Sequence, residues 1–212
     1  MRKMPRRDLT CFGSLDWGYN SPGCFLLWVC LLDGHYHIWR EYKFQFTPVW
    51  DVATDILTLL DELGVTCKYI AADPACWQHT GAGTGEAIGE TLLRAGLPVR
   101  PGDNNRRNGW QRVHELLRVA PDGRPWLTVE ADPYCKYLRR TLAGAVSDKV
   151  DADDVDTKSD DHALDALRYG AMSRPPIGKL RLLHKQKPPE GSPAYYMQRD
   201  RNPVGRKFGR VA

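Results

Sequence analysis

A mixed α/β fold of packed layers is the architecture this sequence predicts, on three observations. The first 46 residues read as three strands with a tight turn before the third. An amphipathic helix and a wholly apolar strand then follow in succession. The remaining body alternates helical spacing with short extended pieces.

In order, Met1 to Arg7 is a short basic lead-in, and Leu9 to Leu15 reads as a strand that delivers Asp16. Phe25 to Leu32 is an unbroken apolar run of strand length. Asp33 and Gly34 form a strong turn signal, and His35 to Phe46 alternates aromatic and polar residues as a half-exposed partner strand does. Pro48 to Leu63 places Val49, Val52, Ile56, Leu59, Leu60 and Leu63 on one helical face and stops at Gly64. Cys67 to Ala72 is a buried strand ending at Asp73. Glu86 to Ala95 is helical, Pro98 to Pro101 is extended, and Asn105 to Val119 is a second amphipathic helix. Trp126 to Glu130, after the turn at Asp122 and Gly123, is a short strand or hairpin arm, and Pro133 to Ala143 is a helix. An acidic loop, Gly144 to Ser159, leads to the last helix of the body, with Ser159 or Asp160 as its cap and Gly170 marking its end.

Composition bounds the classes available. The chain has 212 residues, 42% of them hydrophobic, enough for one core with appendages. The net charge of +4 is uneven: residues 173 to 212 hold ten Lys or Arg against Glu190 and Asp200, leaving the first 172 residues at −4. A mildly acidic body with a cationic tail suits a polyanionic partner, and a plain solubilising tail explains the composition equally well. Residues 1–8, 9–172 and 173–212 are accordingly read as lead-in, folded body and basic Pro/Gly-rich tail. The six cysteines contain no CxxC pair and sit mostly in apolar runs, as small buried hydrophobes in a reducing compartment do; Cys76 and His79 are the one close Cys/His pair. The longest apolar run, Cys24 to Leu32, is too short to cross a bilayer.

The residues that carry chemistry are acidic. Asp161, His162 and Asp165 share one face of the last helix, because residues three and four apart are helical neighbours. Two carboxylates and an imidazole beside an apolar stripe are costly unless a cation or a set of donors offsets them. Asp16 and Asp73 each end a strand, and if those strands pair, both carboxylates meet the helix. Carboxylate oxygens with one imidazole suit magnesium or manganese. The competing explanations are a solvated helix start and two strand-end turn formers. Arg168, three beyond Asp165, reads as an ion-pair partner that orients its carboxylate, with a phosphate contact as the alternative. Arg106, Arg107 and Arg112 near a helix start, and Arg139 with Arg140, are candidate phosphate contacts or ordinary surface cations. No Ser-His-Asp or Cys-His arrangement is supported by spacing, and His114 reads as a surface or packing residue. The loop Asp148 to Asp156 lacks the glycine and glutamate of a calcium-binding loop, and we expect it to act as a gate over the acidic groups.

Leu15-Asp16-Trp17-Gly18, Ala72-Asp73-Pro74 and Asp161-His162-Ala163-Leu164-Asp165-Ala166-Leu167-Arg168-Tyr169 together resemble the C-terminal nuclease domain of tailed-phage DNA-packaging terminase large subunits, over roughly residues 9 to 172. The resemblance implies a ribonuclease H-like fold and cutting of concatemeric viral DNA by two-metal phosphodiester hydrolysis. It implies Asp16, Asp73 and Asp165 as catalytic carboxylate ligands, with His162 as a further ligand and Asp161 either capping the helix or binding a second ion through water. Implied partners are double-stranded DNA, a portal or procapsid, and a terminase ATPase domain or small subunit, in the cytoplasm of an infected bacterium; the isolated domain is expected to be monomeric. The motor's GxxxxGK[ST] motif is missing, since Gly81 to Glu86 is Gly-rich without the lysine, so an ATPase is not expected in this chain. A Holliday-junction resolvase, or a catalytically idle DNA- or portal-docking module of the same fold, remains the alternative.

Overall fold

The computed structural model describes residues 10–78, 85–145 and 161–174. The Gly-rich stretch 81–84, the acidic loop 146–160, the lead-in and most of the basic tail therefore lie outside the described residues, as do the readings that rest on them: the gate and His79.

Its centre is a six-stranded mixed sheet. Strand β1 (Thr10–Asp16) runs antiparallel to β2 (Gly23–Cys30), and β2 antiparallel to β3 (Tyr36–Phe44), with Asp33-Gly34 in the connecting turn and Gly34 at a φ of +88°. A positive φ favours glycine, which explains the strength of the turn signal. Helix α1 (Val49–Leu63) closes at Gly64, whose left-handed conformation lets its N–H return to the last turn. Strand β4 (Cys67–Ala72) then pairs parallel with β1. After a 3₁₀ turn (Pro74–Trp77), helix α2 (Ile88–Arg94) leads into β5 (Val99–Pro101), which is parallel to β4. Helix α3 (Arg106–Leu117), strand β6 (Leu127–Val129), helix α4 (Lys136–Ala143) and helix α5 (His162–Met172) complete the body. The sheet order is β5-β4-β1-β2-β3-β6.

Alternation along β1 and β2 divides the side chains between two layers. Leu15, Phe25, Leu27 and Val29 join Val52, Ile56, Leu60, Ile70, Leu92 and Leu97 in one apolar core. On the opposite face α5 packs across β1 and β2 and against α3. There Trp28 donates its indole N–H to Ser14 at 2.9 Å, which satisfies two polar groups inside the layer.

Several element ends differ from expectation. Gly170 does not end the last helix: α5 runs on to Met172, and Gly170 is buried inside it because a Cβ there would stand 2.4 Å from the Trp28 indole. The N-cap of α5 is Asp161, with no side-chain cap bond. Of the two readings of Trp126 to Glu130 the short strand holds: residues 127–129 pair parallel with the β3 edge and are not a hairpin arm. Helix α4 also starts later than Pro133, where the Glu41 carboxylate of β3 accepts the N–H groups of Tyr137 (2.5 Å) and Leu138 (2.7 Å). A carboxylate from another element thus satisfies donors that a helix start leaves open.

Candidate active site

Strands β1 and β4 bring two acids together. Their last register pair is Leu15 with Ala72, and the Asp73 N–H donates to the Leu15 carbonyl at 3.0 Å, so Asp16 and Asp73 emerge side by side at the C-terminal ends of neighbouring parallel strands. Asp16 lies on the α5 face, is only 6% exposed, and has one carboxylate oxygen 3.0 Å from Nδ1 of His162, the first residue of α5. Burial pushes the Asp16 carboxyl up to about 7; Asp165 and Asp73 push in the same direction, and the bond to His162 opposes them. Asp73 uses one oxygen to accept the Ala75 N–H at 2.9 Å, capping the 3₁₀ turn.

One turn into α5, Asp165 meets two arginines. Arg168 donates from Nε to Oδ1 at 3.0 Å, the i,i+3 pair expected from the sequence. Arg106, the first residue of α3, reaches both oxygens from Nη1 at 3.1 Å each, and its Nη2 is 3.8 Å from Asp161. The Asp161 carboxyl is raised by burial and by Asp165. Arg168 is 1% exposed; it also donates to Asn104 at 3.2 Å and passes over Gly109 of α3, where a Cβ would stand 2.4 Å from its Cγ. Asn104 accepts from the Tyr169 hydroxyl as well, at 3.3 Å. Asn104 was invisible in the sequence as part of this group, since its partners lie more than sixty positions away.

The acids are therefore neighbours, but their oxygens already have partners within the protein: arginines for Asp165 and Asp161, His162 for Asp16 and a backbone N–H for Asp73. Among the described residues no three His, Cys, Asp or Glu side chains converge closely enough to hold a metal ion. In donor chemistry the set fits a hard divalent cation, with several carboxylates, one imidazole, and in Asp16 a buried acid whose charge the surroundings offset incompletely. The arrangement described is one in which arginine and histidine take those oxygens instead.

The other basic candidates separate by burial. Arg107 and Arg139 are exposed, the latter pairing with Asp132 at 3.0 Å, and Arg140 is exposed with its guanidinium 5.5 Å from the Tyr137 ring. Arg112 is 6% exposed and bonds Glu115 at 2.6 Å, so it serves the interior of α3 and is not presented as a surface contact. The six cysteines are all unpaired. Among the described residues no helix is long and apolar enough to cross a membrane.

No protein-family model matches the sequence, and no curated protein matches it. Solved structures do match. The nuclease domain of the P22 large terminase superposes with a TM-score of 0.61 at 17% identity, covering 81% of this chain and 84% of that one. The fold is that of a terminase nuclease domain. It is of the ribonuclease H-like kind. The large terminase of a thermophilic bacteriophage superposes at 0.63 with 20% identity over 79% of this chain, and that of bacteriophage HK97 at 0.57 with 12% identity over 80%. The chain spans 41% of the thermophilic phage protein and 40% of the HK97 protein, so the terminase nuclease fold corresponds to one part of each.

Proposed function

We propose that this chain is a metal-dependent DNA endonuclease that cuts concatemeric viral DNA during genome packaging. The observation that carries the reading is the meeting of Asp16 and Asp73, at the ends of parallel β1 and β4, with His162 and Asp165 of α5. A fold shared with terminase nuclease domains supports the same substrate class. Two magnesium or manganese ions, held by Asp16, Asp73, Asp165 and His162 with Asp161 nearby, would supply an activated water and stabilise the leaving oxygen.

The chain's own residues do the positioning. His162 fixes the Asp16 carboxylate, and buried Arg168, braced by Asn104, fixes Asp165. Burial around Asp16 lowers the local dielectric and strengthens its hold on any cation. Exposed Arg107, Arg139 and Arg140 would grip the DNA backbone without regard to sequence. In this reading residues 9–172 form the nuclease domain and 173–212 a docking tail, and the domain, monomeric when isolated, works with a terminase ATPase, a small subunit and a portal in the host cytoplasm.

A plasmid-nicking assay with magnesium or manganese tests this. The parent should nick, and Asp16→Ala, Asp73→Ala and Asp165→Ala should each lose about 100-fold or more in rate, as expected when a ligand of the ions that activate the water and stabilise the leaving oxygen is removed. Activity insensitive to all three substitutions would end the proposal. A folded parent with no activity under either ion would favour an idle docking module, and preferential cutting of four-way over linear DNA would favour a resolvase.

A further inference from the structure

Of the two arginines on Asp165, one is enclosed and the other lies nearer solvent. Arg168 is 1% exposed, pressed against Gly109 and tied to Asn104. Arg106 has a side chain 27% exposed and follows the solvent-exposed residues Asp103, Asn104 and Asn105. It also stands in the first turn of α3, the positive end of the helix dipole, where a cation is disfavoured unless carboxylates hold it. Those carboxylates are Asp165, bonded through both oxygens, and Asp161. Withdrawal of Arg106 would leave Asp165 Oδ1 on Arg168 and open Oδ2 without disturbing the helix.

We infer that Arg106 is the exchangeable counter-cation of the acidic site, and that it competes directly with a divalent metal ion for Asp165 and Asp161. The inference rests on the reading that Asp16, Asp73, His162 and Asp165 hold such an ion. It accounts for the state of the helix acids: the guanidinium occupies both oxygens of Asp165 and lies beside Asp161, so it supplies the positive charge that this pair requires when no metal ion is bound. Metal entry is then an exchange of one cation for another, with the arginine turned out towards water or a DNA phosphate.

Binding of manganese(II) to the full chain, followed by the electron paramagnetic resonance of the free ion, tests the exchange without reference to activity. Arg106→Ala and Arg106→Gln, the second preserving most of the side-chain length, should each bind manganese about tenfold more tightly than the parent, the scale expected for removing a charge at this distance in a partly screened site. Arg106→Lys should fall between. In chelator, both neutral variants should melt below the parent, and manganese should raise their Tm by more than it raises the parent's. Arg94→Ala, which removes the same charge from a pair with Glu86, should bind as the parent does. If Arg106→Ala and Arg106→Gln bind equally or more weakly while Asp16→Asn abolishes binding, the exchange is wrong and the metal site stands. If the parent and both neutral variants bind nothing, or Asp16→Asn binds as the parent does, the metal site itself is wrong and the exchange falls with it.

Discussion

Asp16 shows how one residue takes its character from its surroundings. As a strand-end aspartate in water it would titrate in the ordinary carboxylate range, whereas here burial raises it to about 7. A carboxyl whose folded pKa lies above its unfolded one binds a proton more tightly when folded. The cation-free protein should therefore gain stability as the pH falls from about 7 towards about 4, and lose it as the pH rises back through that window. Thermal unfolding in chelator should give a higher Tm near pH 5.5 than near pH 8, once compared with Asp16→Asn, in which the difference should shrink. An identical pH dependence in the two proteins would show that Asp16 is not the buried acid described. The acids stood out as candidates in the sequence because carboxylates at strand ends and on a helix start are costly to leave uncompensated. Arg106 was read there as a phosphate contact, and its position on Asp165, 59 residues away, could come only from the packing of α3 on α5.

At the scale of elements, helices and strands announced themselves wherever a local rule decides them. Gly64 ends α1 because a left-handed residue is needed there, and the turn at Gly34 needs a positive φ. Gly170 obeys a different rule. It stands inside α5, where its missing side chain lets the helix approach Trp28 on β2, so the reading of glycine as a helix end failed for a tertiary reason. Gly170→Ala would improve helix propensity in isolation, yet it should destabilise the protein by roughly 1–3 kcal/mol because the new methyl overpacks against the indole. Chemical denaturation measures this, and a variant as stable as the parent would show that α5 and β2 are not in such close contact. Strand β6 was equally hard to place, since three residues carry no sign of whether they pair with a neighbour in sequence or with β3 across the fold.

For the whole molecule, the distribution of charge governs how a long polyanion would be met. Arg139 and Arg140 are exposed on α4, while Arg112 is enclosed in α3. Binding to duplex DNA should weaken with salt, and replacing Arg139 and Arg140 together by alanine should flatten the log–log salt slope by about 2 if each meets a phosphate. Arg112→Ala should leave that slope alone and lower the Tm instead, because it abandons Glu115 and a buried cavity. Fluorescence anisotropy across a salt series separates the two. The sequence by itself determined the strand and helix order, a set of candidate acids and the basic character of the last forty residues, because periodicity, turn chemistry and charge are properties of neighbours along the chain. Only the tertiary structure decided that β4 lies parallel to β1, that α5 continues past its glycine, and which cations face the acids. Those choices depend on side chains far apart in sequence finding room and charge balance in the same place.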